Sequence, residues 1–169
     1  NSNYAEAHRN IGGLLQQIGR LNEALVHCEK AVKINPNYDV GHHSLANVLV
    51  ESGKFVEAIV HCRKAIDINP DFADAYSTLA ETQLALGKFE AVIEDCENAI
   101  RIKPNFEKAE HLRGVAQMQL GLFDDAIRSF KKADTLKSRE KRLECLYTVG
   151  DEDRFFRELD EIASTDNTN

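Results

Sequence analysis

Six histidines and four cysteines are the side chains of this 169-residue chain best suited to hold a metal ion or to act as nucleophiles. Two of each stand in identical dipeptides, His27-Cys28 and His61-Cys62, and His42-His43 forms a further doublet. Imidazole and thiolate together make zinc sites, and a thiolate beside an imidazole makes a covalent catalyst. The spacing argues against both. Neighbours on a helix point about 100° apart, so one dipeptide does not close on one ion. Cys28, Cys62 and Cys96 stand 34 residues apart, and Phe130 takes the fourth place in the series. A slot that accepts Cys or Phe is an apolar packing slot. Equivalent positions of neighbouring packed helices lie about 8–10 Å apart, beyond the ~7 Å reach of a disulfide. The thiols, Cys145 included, are therefore read as structural, in a reducing compartment, which points to the cytoplasm. No phosphate loop, zinc-protease helix, nucleophile elbow or dinucleotide turn occurs. The expectation is no catalytic residue, no metal and no cofactor.

The same interval of 34 governs the residues that must position any site. Gly19, Gly53, Gly87 and Gly121 keep it, as do Pro36, Pro70 and Pro104, and Ala31, Ala65, Ala99 and Ala133. A fixed period of this length is the mark of a stacked helix-pair array. The repeats are 5–38, 39–72, 73–106 and 107–140. First helices are predicted over about 5–18, 39–52, 73–86 and 107–120, each closed by its glycine in the left-handed conformation. Second helices are predicted over about 22–34, 56–68, 90–102 and 124–136, the first three stopped by proline. Asn37, Asp71 and Asn105 are expected to cap the helices that follow. Ile11, Leu45 and Leu79 recur as core positions, beside the small residues Gly12, Ala46, Ala80 and Gly114. Beyond residue 138 the period fades. A shorter helix over 139–149, with Leu143, Leu146 and Tyr147 on one face, and a last one over about 152–163, capped by Asp151 and anchored by Phe155, Phe156, Leu159 and Ile162, read as a degenerate pair covering the end of the core. Residues 164–169 read as a polar, disordered tail.

This pattern resembles the tetratricopeptide repeat family over about residues 3–140. The carriers are the period, the small residue of the first helix, the interhelical glycine, the two alanines of the second helix and the closing proline. The run NPDFADAYSTLAETQLALGKFEAVIEDCENAIRIKP, residues 69–104, is a close match. The fourth repeat departs, with Arg113 for the usual Leu and Ser138 where Pro is expected, and the early aromatic is Tyr76 in one repeat but His8, His42 and Glu110 elsewhere. The resemblance implies an all-α, right-handed superhelix of four helix pairs plus the capping pair. It also implies that first helices line a concave groove. That picks out Arg9, Asn10, Gly13 and Gln17; His43, Ser44, Asn47 and Glu51; Ser77, Thr78, Glu81 and Ala85; and Lys108, His111, Leu112, Val115 and Gln119. The residues expected to meet a partner are Arg9, Asn10, Gln17, His43, Ser44, Asn47, Glu51, Ser77, Thr78, Glu81, Lys108 and His111.

The function implied is a non-catalytic protein–protein interaction scaffold that takes a peptide or protein segment in that groove. The set of Lys, Asn and Arg with which some members grip a chaperone's C-terminal carboxylate is poorly matched, with only Arg9, Asn47 and Lys108 suitable. The asparagine ladder of other members is reduced to Asn10. Asn3-Tyr4 repeats as Asn37-Tyr38, Asp71-Phe72 and Asn105-Phe106, so the chain starts in phase, as a piece cut from a longer protein would. The rival expectation is thus the recognition arm of a larger enzyme, because the run FFRELDEIASTDNTN is similar to the lead-out of bacterial arrays that precede transferase or oxygenase domains. Self-association through a repeat edge is a further possibility.

Composition bounds the partners. The net charge is −7, but residues 151–169 carry a net −5 and residues 128–142 a net +5. The two blocks are expected to pair at the C-terminal end. An acidic chain with one short basic stretch is not a nucleic-acid binder. No apolar run reaches the ~20 residues needed to span a bilayer.

Overall fold

A computed structural model describes residues 2–166, with side chains over 3–160. The described chain is all helix and turn. First helices are α1 (Ser2–Gln17), α3 (Asp39–Glu51), α5 (Ala73–Ala85) and α7 (Glu107–Gln119), and second helices are α2 (Leu21–Ile34), α4 (Phe55–Ile68), α6 (Phe89–Ile102) and α8 (Phe123–Ala133). They are followed by α9 (Leu136–Val149) and α10 (Glu152–Asp166). Two compact units result, one ending at Lys88 and one beginning at Phe89.

The helix ends follow from local chemistry. Gly53 has φ +72°, donates to the Val50 carbonyl and is followed by Lys54, which donates to Leu49. Those two bonds are the Schellman closure, which satisfies the last carbonyls of α3 and needs a residue without a Cβ penalty. Gly19, Gly87 and Gly121 repeat it with φ of +75°, +69° and +75°. α3, α5 and α7 start where predicted, but their caps differ from expectation. Tyr38, Phe72 and Phe106 hold the N-cap positions of α3, α5 and α7, and none makes a side-chain cap bond. Asn37, Asp71 and Asn105 stand one residue too early to cap. Instead Asn35 and Asn69 accept from the backbone amides of Asn37 and Asp71 and fix the turn after the second helix.

In the first unit the core is the seam between α2, α3 and α4. Ala24, Cys28, Leu45, Val48, Leu49 and Ala58 are buried together, with Leu15, Leu25 and Val32 against them. A second cluster, Ala46, Cys62 and Leu79 with Ile59 and Ile66, joins α4 to α5. Small residues set the approach. A Cβ on Gly12 would lie 2.5 Å from the Cys28 Sγ. Ile11, expected in the core, is instead 41% exposed, whereas Leu45 and Leu79 at the equivalent places are buried.

In the second unit Ala126, Ile127, Phe130, Cys145 and Leu146 form the core, with Val115, Met118, Phe123 and Phe155 packed on it. Gly114 faces the Phe130 ring, and a Cβ there would come within 2.7 Å. The fourth second helix ends earlier than predicted, at Ala133. Asp134 takes φ +43°, and Thr135 accepts from the Ser138 amide to start α9 at once. Asp151 caps α10 as expected, accepting from the Arg154 amide at 3.1 Å. Leu146 is buried and Phe155 half-buried, whereas Tyr147 and Phe156 are exposed. The helix continues through Ser164–Asp166, so the predicted tail begins no earlier than 167, and residues 167–169 and the Ile162 side chain lie outside the described set. The two charged blocks meet in an ion pair, Arg142 with Glu158.

Candidate functional site

Within the first unit, α3 touches both α1 and α5. The first helices therefore stand side by side and share one face. On it, His43 and Asn47 of α3 meet Thr78 of α5. Thr78 Oγ1 donates to Asn47 Oδ1 at 3.1 Å, and His43 Nε2 lies 3.1 Å from the same Thr78 oxygen. Because the hydroxyl proton is committed to Asn47, His43 is the donor, with its proton on Nε2. The Asn47 Nδ2 stands 3.5 Å from that nitrogen, too far and wrongly paired for a useful bond, so the amide keeps both its protons for something else. Phe72 holds the His43 ring edge-on, centroids 4.9 Å apart.

The other predicted positions fall as follows. Asn10 and Gln17 are exposed and Ser44 is half-buried. Glu51 is reached by Gln16, whose Nε2 donates at 2.6 Å, rather than by Gln17. Arg9 is half-buried, and its Nε makes no hydrogen bond. Glu81 is half-buried. Ser77 is a correction: its side chain is only 1% exposed, closed into the packing of α5, and it is withdrawn from the ligand-facing set. Thr78 is 4% exposed and acts by holding Asn47 rather than by meeting solvent. In the second unit Lys108 is exposed. His111 is half-buried, its Nδ1 2.8 Å from Ser138 Oγ and its ring 5.6 Å from that of Phe130. Burial, then Lys137 and Lys141, hold His111 below the usual imidazole range. Leu112 is buried, as its place in the core demands.

A set of contacts escaped the sequence reading. In the first two repeats the first helix faces its second helix through a polar contact at matching places, and in the fourth Arg113 bridges those places. His8 Nδ1 lies 3.0 Å from His27 Nδ1, and His42 Nδ1 lies 3.0 Å from His61 Nδ1, both pairs 19 residues apart. In the fourth repeat Glu110 pairs with Arg113, which donates to Ser129 Oγ at 3.0 Å, and Ser129, again 19 residues beyond Glu110, donates to Gln117. Arg113, which stands for the usual Leu, is thus engaged by both Glu110 and Ser129. The constant interval of 19 was the available signal, hidden behind the more conspicuous His-Cys dipeptides.

The thiols are inert. None of the four cysteines is in a disulfide, and all are fully buried. Burial pushes Cys28 up to about 11, Cys96 to about 12 and Cys145 to about 11, far from the thiolate that nucleophiles and metal ligands need. Among the described residues no three His, Cys, Asp or Glu converge on one point. No described helix is long and apolar enough to cross a membrane.

Helix pairs closed by left-handed glycines, small residues at every seam and polar groups gathered on the first helices define a helical-repeat protein whose business is contact. Sequence profiles agree. A tetratricopeptide repeat profile matches residues 5–38 and 73–106, a TPR repeat profile 46–87, and a further tetratricopeptide repeat profile 111–140. The chain belongs to the tetratricopeptide repeat family. No curated protein sequence matches it. Several solved structures do. MamA is 30% identical, aligned over 85% of this chain and 83% of its own, with a TM-score of 0.73. TTC0263, a thermophilic TPR protein of Thermus thermophilus, is 23% identical over 93% of this chain and 89% of that one, TM-score 0.74. The first TPR of Spaghetti (RPAP3), bound to the HSP90 peptide SRMEEVD, is 24% identical over 72% of this chain and 96% of that one, TM-score 0.70.

Proposed function

We propose that this protein is a non-catalytic interaction scaffold that takes an extended peptide or protein segment along the first-helix face. The observation that carries the reading is the His43–Thr78–Asn47 network. It fixes the Asn47 amide with its oxygen occupied and its two N–H groups uncommitted, which is the chemistry needed to bind a carbonyl of an extended peptide. Asn10, Ser44 and Gln17 supply further polar contacts in the same unit, and Lys108 offers a cation in the second unit. The peptide held by the TPR of Spaghetti is support for this mode of use in a similar fold, and no more than that. Buried thiols outside any disulfide suit a reducing compartment, and we place the protein in the cytoplasm on that ground.

The test is a His43→Ala/Asn47→Ala variant. Partners are first captured by the wild-type protein and identified by mass spectrometry, then titrated individually. The variant is expected to keep its helical circular dichroism and to lose at least about tenfold in affinity, as removal of hydrogen bonds from a desolvated contact does. Unchanged affinity for a validated peptide would move the site away from α3.

A further inference from the structure

The first two helix pairs each contain two histidines that meet head-on. The ring centroids are 5.0 Å apart for His8–His27 and 5.2 Å for His42–His61, and the facing Nδ1 atoms are 3.0 Å apart in both. The nitrogens therefore lie close to the line joining the rings. That arrangement suits an N–H···N hydrogen bond. It does not suit chelation, in which both lone pairs must converge on a third point.

Proton counting follows. His42 Nε2 lies 3.0 Å from the Pro36 carbonyl, which only accepts, so that nitrogen carries the proton. Its Nδ1 is then the acceptor, and His61 donates through Nδ1–H. A proton added to His61 Nε2 leaves this bond intact. A proton added to His42 Nδ1 sets N–H against N–H and breaks it. The folded pair thus refuses at least one proton that the two separated imidazoles accept.

We propose that the His8–His27 and His42–His61 pairs are acid-released latches, clasping α1 to α2 and α3 to α4, and opening when the pH falls below neutral. The charged groups felt at the second latch are Lys64 and Glu57, both on α4, with Asp39 one turn earlier on α3 and held by Asn69. At the first latch Glu23, one turn before His27, is engaged by Arg20, and Arg9 follows His8. Burial lowers both His42 and His61 and outweighs the Pro36 carbonyl that raises the first and the Glu57 carboxylate that raises the second, so the folded state resists protonation. The unfolded chain takes up these protons near pH ~6.5. Below that value the unfolded state binds more protons, so the stabilisation from His42–His61 is present above about pH 6.5 and lost as the pH falls toward the lowered folded values. This inference stands on the hairpin seams and is independent of the binding reading.

The third repeat supplies the control, because Tyr76 and Asp95 occupy the same two places there. In the full chain, His8→Tyr/His27→Asp/His42→Tyr/His61→Asp replaces both latches by the residue types that the third repeat carries at those places. Urea unfolding is followed at about pH 7.5 and about pH 5.5, a window above ordinary carboxylate titration. For the wild type, the proton refused by His42–His61 raises the unfolding constant by up to about tenfold across this window. The quadruple variant is expected to lose most of this pH dependence. An equal pH dependence in both proteins overturns the proposal. Should the variant fail to fold, imidazole ¹⁵N spectra of the wild type decide: His42 held as the Nε2–H tautomer, with no second proton entering the pair before unfolding, supports it. Independent titration of both rings in the folded state refutes it.

Discussion

Gly12 and Gly114 sit at equivalent places but face different neighbours, Cys28 and Phe130. In the second repeat the same place is Ala46, which is buried with Cys62. A Phe in the slot therefore demands a facing residue with no Cβ. Gly114→Ala gains up to about 1 kcal/mol of helix propensity but forces the buried ring aside, which costs about 1–3 kcal/mol. The net expectation is a loss of about 1 kcal/mol or more. In a Phe130→Cys background the same change recreates the second repeat's Ala46–Cys62 pairing and should be neutral or stabilising. A double-mutant cycle from urea melts gives the coupling, and a value near zero would show that the two positions do not meet. At this scale the sequence was legible wherever a residue type recurred at 34, as the Cys–Phe interchange did. It misled where contacts cross a hairpin. His8 and His27 are distant in the chain and only their repeated interval tied them together, while Ser77 and Thr78, polar by type, are closed into packing that composition does not reveal.

Helix boundaries were legible to within a residue or two wherever glycine or proline marked them, because those residues act through backbone geometry alone. The starts of α3, α5 and α7 fell where predicted, but the residues that cap them did not. Asn37 and Asp71 have capping side chains, but Tyr38 and Phe72 take the cap positions because the asparagines before the prolines already organise the turn. The α8–α9 junction has neither glycine nor proline, and α8 stops three residues short of the predicted end; Asp134 in the left-handed region and the Thr135 cap turn the chain there. α10 depends most on its cap, since much of its surface is exposed. Asp151→Ala removes the bond to the Arg154 amide and the ion pair to its guanidinium. A typical capping loss is ~1 kcal/mol, and the exposed ion pair adds little. The expected outcome is faster amide hydrogen exchange confined to the first turns of α10, with α7 and α8 unaffected. Uniform acceleration through the second unit would mean that α10 is more deeply coupled to the core than its exposure suggests.

At the scale of the whole molecule, a repeat contacts its neighbours in the chain and little else, so its stability is borrowed across each seam. The second unit shows what the last seam contributes. α9 and α10 bring Cys145, Leu146 and Phe155 onto the cluster around Ile127 and Phe130, and the buried Arg142 pairs with Glu158 across them. A chain ending at Asp134 would uncover Phe130 and lose the burial of Leu146. At about 1.5–3 kcal/mol for each large apolar side chain, the loss is roughly 3–6 kcal/mol, comparable with the ~5–15 kcal/mol that holds a small domain together. The shortened chain is therefore expected to lose more helical signal than the deleted residues account for, as α7 and α8 fray. Restoring residues 135–166 in full should recover it, whereas restoring α9 alone should recover only part, because Phe155 and Glu158 belong to α10. If the shortened chain melts at the same temperature as the whole, α9 and α10 are passengers on the array, and the apolar cluster they complete is not what keeps its last repeat folded.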